Sequence, residues 1–313
     1  MTGDIERRLH RASSTVRQDN EPPALEARAV TKIYQRFFGT GVVALEDLSV
    51  SIETGRIVAL VGPNGAGKTT LLHLWMGFQR PTRGALRVRG IDVAEARARA
   101  GRQVAFVAQD VSVVRDLTPR EHVEWAAFLR PGFDADAATG YIAAQEIDVP
   151  RPASRLSGGE RTQLALALAL GCRAPVVLLD EPFAHLDPVA RLRSAGVLFD
   201  ALRRDGATAV ISSHHIADLE RYCDWLVVLD RGRCRLNDAT ASLLDAYQVV
   251  ADAVRDGTRH LELVGPNGSF RLTVPSGGAA PRPVPRPATL EEIVLAHLSH
   301  PEPGGPRGDA GGD

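Results

Sequence analysis

Three short stretches of this sequence place side chains and bare backbone where they could handle phosphates. Gly62-Pro63-Asn64-Gly65-Ala66-Gly67-Lys68-Thr69, followed by Thr70, has the spacing G-x-x-x-x-G-K-T. Such a loop wraps a phosphate chain with backbone N–H groups, and glycines are needed where side chains would collide. A helix opening at its end adds the positive end of its dipole. Lys68 brings a compact ammonium that reaches outer phosphates; a planar guanidinium is bulkier. That choice is informative, because Lys32 and Lys68 are the only lysines among 37 basic residues. The second stretch, Val176-Val177-Leu178-Leu179-Asp180-Glu181-Pro182, is an apolar run ending in two carboxylates. Alone it could be an acidic strand end that caps a helix. Beside the loop, Asp180 is suited to hold Mg²⁺ together with Thr69, and Glu181 to polarise an attacking water. The third, Leu156-Ser157-Gly158-Gly159-Glu160, is a capping box with Ser157 as cap and Glu160 three residues on. A capping box needs no glycines; Gly158 and Gly159 leave a helix N-terminus bare for an anion.

These residues need a frame. Ile57 to Val61, Val104 to Val107, Val176 to Leu179, Ala209 to Ser212 and Leu226 to Leu229 are continuous apolar runs, the pattern of strands buried on both faces of a parallel sheet. Helical patterns separate several of them, which predicts an α/β core with a mainly parallel sheet. Leu25 to Ile33 and Leu48 to Ile52 alternate apolar with polar residues instead, as half-buried strands do. Thr69 to Met76 reads as a helix stopped at Gly77. Between Gln109 and Arg155 strand signals vanish, and Thr118-Pro119-Arg120-Glu121 opens a helix with proline at its first position, so about 110–160 is an all-helical insertion. After Ala246 the character changes. Leu261 to Val264 and Phe270 to Val274 flank a Gly265-Pro266-Asn267-Gly268 turn, a Pro-rich linker follows from Pro275 to Pro287, and Thr289 with Glu292 caps an amphipathic helix. The expected organisation is a mobile tail over 1–23, a nucleotide-binding domain over 24–246, a small α+β extension over 247–300 and a second mobile tail over 301–313.

With the three motifs in this order, residues 24 to 246 resemble the ATP-binding cassette (ABC) family, a P-loop NTPase fold with an antiparallel β subdomain and a helical insertion. The resemblance implies ATP and Mg²⁺ as cofactors and assigns further roles. Tyr34 stands where the family stacks an aromatic on adenine. Gln109 matches the glutamine that touches Mg²⁺, beside Thr69 and Asp180, and senses the partner. Leu186-Asp187-Pro188 matches the D-loop, in which Asp187 approaches nucleotide; alone it reads as an N-cap with proline following. His214 matches the switch histidine at the γ-phosphate, with His215 as its rival. Lys68, Glu181 and His214 are then the catalytic set, and Tyr34, Gly62 to Thr70, Gln109, Ser157 to Gly159 and Asp187 line the nucleotide. The signature departs from the common form at Glu160, Thr162 and Gln163. In the family each ATP lies between the P-loop of one cassette and the signature of another. A second copy or a paralogue is therefore implied, and a separate membrane permease as partner.

Composition sets outer bounds. In 313 residues, 44% are apolar and 24% charged, as in an ordinary globular protein. The balance of 37 basic against 38 acidic residues gives no global attraction to nucleic acid or anionic lipid. No apolar run reaches the ~18 residues that span a bilayer, and residues 1–20 lack the apolar centre of a secretory signal. Cys172, Cys223 and Cys234 form no close pair, which suits buried, inert thiols in a reducing compartment. The expected place is the inner face of the cell membrane, held there by the permease, with Val111, Val113, Val114 and Leu117 as exposed docking residues. Transport is the leading reading. A soluble ABC-type ATPase of translation or DNA maintenance is the alternative; single cassettes and an insertion of only ~45 residues argue against it. Arg130 to Asp134, His214 to Glu220 and Leu290 to Leu295 resemble exporter cassettes, so export is the expected direction.

Overall fold

The computed structural model describes residues 21–35, 41–214, 216–255, 258–266, 268–275 and 282–299. Residues 1–20 of the tail assigned to 1–23, the tail assigned to 301–313, the rival His215, Asn267 of the turn and linker residues 276–281 lie outside them. The chain opens with Leu25–Tyr34 (β1) and Val42–Ile52 (β2), antiparallel partners. Ile57–Val61 (β3) runs into the glycine loop and Lys68–Trp75 (α1). Arg83–Val88 (β4) and Ile91–Asp92 (β5) return to the first sheet, whose order is β2-β1-β4-β5. A short helix Arg97–Gly101 (α2) leads to Val104–Val107 (β6).

The expected helical insertion is present: Pro119–Leu129 (α3), Ala135–Ala144 (α4), a single 3-10 turn Ala153–Arg155 and the start of Gly158–Gly171 (α5). Thr118 and Ser157 each complete the reciprocal capping box that the sequence predicts. The docking stretch is less exposed than expected. Val111 and Val113 pack against the core and Val114 points outward. Trp125, Phe128 and Leu129 are further exposed apolar residues of the insertion and share one face of α3.

Val176–Asp180 (β7), Pro188–Arg204 (α6), Thr208–Ser213 (β8), Trp225–Asp230 (β9) and Arg233–Ala239 (β10) complete the cassette with Thr240–Ala246 (α7). The central sheet has the order β10-β9-β3-β8-β7-β6, parallel except for β10. Its strands alternate between two cores. Ile57, Ala59 and Val61 face the α5–α6 side, whereas Val58 and Leu60 face α1 and the antiparallel sheet. Parallel register brings the carboxyl ends together: Val61 lies opposite Ser213, Asp180 opposite Ser212, and Val107 opposite Leu179. Ligands of open α/β sheets bind at that edge.

Residues after 246 form Gln248–Arg255 (β11), Thr258–Gly265 (β12), Gly268–Pro275 (β13), Arg286–Pro287 (β14) and Leu290–Ser299 (α8). Part of the expected linker is thus a strand, since Arg286 and Pro287 pair with β11. Its core is continuous with that of the cassette: Leu261, Leu263, Leu290 and Ile293 join the same cluster as α5 and α6. Of the three cysteines only Cys223 is fully buried, and burial raises all three thiols, Cys234 to about 11. Among the described residues no helix is long and apolar enough to cross a membrane.

Candidate functional site

The loop after β3 is shaped by what surrounds it. A Cβ at Gly62 would lie 2.2 Å from the Leu229 carbonyl oxygen, and one at Gly67 2.6 Å from that of Ala44. Gly67 also has φ +102° and Gly65 φ +80°. These glycines let the backbone pass where a side chain could not. Gly67 is the N-cap of α1, and no side chain caps that helix. Its first amides therefore face the loop's concavity as bare donors, an anion site in waiting. Lys68 Nζ donates to the Gly62 carbonyl at 2.7 Å and the Pro63 carbonyl at 3.3 Å. Burial holds its pKa below the ordinary lysine value, while Glu181 and Asp180 pull it back up. An anion in the loop would act in the same sense as those carboxylates.

The carboxylates form one network at the end of β7. Ser212 Oγ donates to Asp180 Oδ1 at 2.6 Å and accepts from the Glu181 amide at 2.9 Å. His214 Nδ1 lies 2.9 Å from Glu181 Oε2, and Lys68 Nζ 3.8 Å from Glu181 Oε1. A carboxylate only accepts, so Nδ1 carries the proton in that contact. Glu181 has φ +47°, a left-handed conformation that costs a non-glycine residue about 1 kcal/mol or more. A cavity of about 120 Å³ beside it is lined by Glu181, Phe183, Arg191, Ser212 and His214. Lys68, Glu181 and His214, predicted together from separate motifs, are thus in contact. Ser212 was not singled out by sequence reasoning. Its signal was available: a hydroxyl at the end of an apolar strand next to one that ends in an aspartate.

Asp180 is 1% exposed and Thr69 sits on the first turn of α1. Among the described residues no three His, Cys, Asp or Glu side chains cluster as metal ligands. One carboxylate with one hydroxyl still fits Mg²⁺, which takes one or two protein oxygens and completes its shell with phosphates and water. Gln109 is exposed just beyond β6, at the same edge of the sheet. Tyr34 ends β1 beside the loop: its hydroxyl donates to Gln79 Oε1 at 2.7 Å and lies 3.3 Å from Thr70 Oγ1. Lys32 Nζ stands 5.0 Å from the centre of its ring.

The signature residues lie elsewhere. Ser157, Gly158 and Gly159 line a cleft of about 450 Å³ with Leu186 and Asp187, whereas Gly62 and Pro63 line a different cavity. Asp187 Oδ1 accepts from the amides of Val189 and Ala190, so it is the N-cap of α6. A Cβ on Gly159 would lie 2.9 Å from Leu186 Cδ2, which packs the two turns together. Gln163, where basic residues are frequent in the family, is buried and accepts from the Tyr141 hydroxyl at 2.7 Å. In one chain the glycine loop and the signature turn therefore line separate cavities, and the signature helix begins at a terminus that Ser157 and Glu160 cap.

Comparisons with known proteins agree with this geometry. The profile described as ABC transporter matches residues 45–184. A cobalamin-import ATP-binding protein of Halobacterium salinarum is 40% identical over 223 residues, covering 68% of this chain. The chain spans 56% of that relative's length. A phosphonates-import ATP-binding protein of Thiobacillus denitrificans is 32% identical over 250 residues, covering 75% of this chain and 94% of the relative. A dimeric ATP-binding cassette bound to ADP and phosphate in a post-hydrolysis state superposes with a TM-score of 0.63 at 25% identity, covering 69% of this chain and 98% of that one. The P-loop, the paired carboxylates and the signature helix thus stand on a shared scaffold, and the chain belongs to the ABC transporter family.

Proposed function

We propose that this chain binds and hydrolyses ATP to energise a membrane transporter whose spanning segments lie on another polypeptide. The observation that carries the reading is the contact set Lys68–Glu181–His214, built beside an uncapped helix N-terminus at the carboxyl edge of the parallel sheet. In this reading the amides of Asn64 to Thr70 and the Lys68 ammonium hold the phosphates, and Tyr34 faces the adenine. Thr69, Asp180 and Gln109 hold Mg²⁺, which neutralises charge on the phosphates when bound. Glu181 accepts the proton of the attacking water, and His214 orients that carboxylate and contacts the terminal phosphate. Lys68 would leave its carbonyl partners for the phosphates, and their charge would restore the ammonium that burial disfavours.

The separation of the P-loop from the Ser157 turn supports a sandwich of two cassettes, with each ATP between the P-loop of one and the signature of the other. Glu181→Gln keeps the shape of the side chain and removes the base. The variant should bind ATP, turn over about 10²–10⁴-fold more slowly and accumulate as an ATP-bound dimer, read by size-exclusion with light scattering. A variant that turns over at the normal rate refutes the reading, and one that stays monomeric with saturating ATP counts against a sandwich of two copies of this chain.

Export is the proposed direction. The two relatives described above are named import proteins, and the first matches this chain over 223 residues, about the length of a cassette. Support for export comes instead from the extension, whose Leu290 to Leu295 segment resembles exporter cassettes. The exposed Trp125–Phe128–Leu129 face and Val114 are the proposed contact for the permease. Transport assayed in vesicles of both orientations, with the permease co-expressed, decides the direction.

A further inference from the structure

The first turn of α6 leaves Val189 76% and Leu192 59% exposed. They are three residues apart, so they share one face of the helix, and both lie within five residues of Asp187. A concavity of about 170 Å³ lies between the glycine loop and the C-terminal helix α8; Pro63, Ile216, Val294, Leu295 and Leu298 make most of its lining apolar, and His214 and Glu291 also border it. The helix is held firmly in place. The Leu290 amide donates to Glu220 Oε1 at 3.3 Å, buried Glu292 binds Arg286, and buried His297 Nε2 lies 2.9 Å from the Tyr247 hydroxyl. The concavity is therefore a preformed surface.

Two couplings within the chain bring these features into register when two copies face head to tail. Gly159 packs on Leu186, so the signature turn and the Asp187 turn travel as one body. Gly62 and Pro63 belong to the concavity itself, so whatever approaches the glycine loop from that side also approaches α8. A partner that brings its Ser157 to the phosphates brings its α6 turn to this side as well. We propose that Val189 and Leu192 of one copy seat in the concavity formed by the glycine loop and α8 of a second copy. The C-terminal extension is then an apolar lock on the dimer that touches no nucleotide. This proposal rests on the ATP-sandwich reading and adds to it a surface outside the cassette core.

The test uses the Glu181→Gln chain with ATP. Adding Val189→Ser and Leu192→Ser should weaken the ATP-bound dimer about tenfold or more, from the apolar area left uncovered. Binding of a fluorescent ATP analogue to the monomer should not change, because neither side chain lines the glycine loop. A second measurement needs no loss of affinity. One chain carrying Leu192→Cys is mixed with another carrying Leu295→Cys under mild oxidation. A disulfide-linked dimer is expected only in the mixture and only with ATP. If the serine variant dimerises with unchanged affinity and the mixture gives no cross-link, the lock is refuted and the sandwich stands. If the parent Glu181→Gln chain never dimerises with ATP, the sandwich reading falls and the lock with it.

Discussion

Ser212 is a small side chain in a position of unusual leverage. Its hydroxyl has one proton, given to Asp180, and its lone pair takes the amide of Glu181. It thus ties together the carboxylate proposed for Mg²⁺ and the backbone of the one proposed as base, at the point where that backbone is left-handed. Ser212→Ala removes both bonds from a buried site. The cost expected is about 1–3 kcal/mol of stability, read from denaturant midpoints, together with a fall in kcat larger than any rise in KM for ATP. A variant with full turnover would show that the Glu181 backbone needs no such tether. The sequence singled out Lys68, Asp180 and Glu181 because each belongs to a motif whose spacing has a chemical reason, whereas His214 was named only through the resemblance to a family. The sequence did not make the Ser212 bridge legible, because a serine at a strand end becomes a tether only when the neighbouring strand is known. The left-handed turn at Glu181 was hidden for a similar cause: nothing in Asp-Glu-Pro demands it.

Among the elements, the ion pair of the extension makes a pH-dependent contribution with a definite sign. The Asp252 carboxylate is fully buried, accepts two bonds from the Arg259 guanidinium and one from the Arg282 amide. Arg259 above all holds its pKa down, to about 2 from an ordinary 3.8. A depressed carboxyl pKa stabilises the fold above the unfolded value, and that contribution is lost as pH falls through the folded one. The pair should therefore stabilise the fold at neutral pH, by no more than about 1–2 kcal/mol once solvent screening is counted, a contribution that fades between about pH 4 and pH 2. Urea midpoints of wild type and Asp252→Asn should differ at pH 7 and converge near pH 2; parallel curves would exclude this carboxyl as the source. Legibility at this scale followed burial. The apolar runs of β3, β6, β7, β8 and β9 were read directly, since short, continuous apolar runs are the pattern of strands buried on both faces. Strands β4, β10 and β11 were missed, because Arg83-Gly84-Ala85-Leu86-Arg87-Val88 and Arg233-Cys234-Arg235-Leu236 mix charge and apolar residues as a loop does. Only their pairing partners make them strands.

For the molecule as a whole, the placement of the glycine loop and the signature turn in different cavities has a stoichiometric consequence. If each ATP needs Lys68 from one copy and Ser157 from the other, Lys68→Ala and Ser157→Arg homodimers are both inactive. In a mixed dimer one site receives both lesions and the other none. Mixing the two should restore part of the activity, up to about half per dimer if the sites turn over independently, measured as phosphate release across a titration of one variant into the other. No recovery, with mixed dimers present by mass, would count against independent composite sites.

Gly232 gives the site a property of a different kind. Its amide donates to the Ala66 carbonyl inside the glycine loop at 3.0 Å, and its carbonyl accepts from the Glu46 amide of β2 at 3.0 Å. A Cβ there would lie 2.7 Å from the Ala44 oxygen, the same atom that a Cβ on Gly67 would strike. The strand pair that carries Tyr34 and the loop proposed to cradle the phosphates are therefore tied to each other through the amide and carbonyl of one residue, Gly232. In the proposed reading, base and phosphate would be gripped at a fixed span, and the site would work as a calliper set to the length of a nucleoside triphosphate. Gly232→Ala, which touches no part of that ligand, should spread the jaws: ATP should bind more weakly by calorimetry, while free inorganic phosphate, which spans nothing, should bind as before.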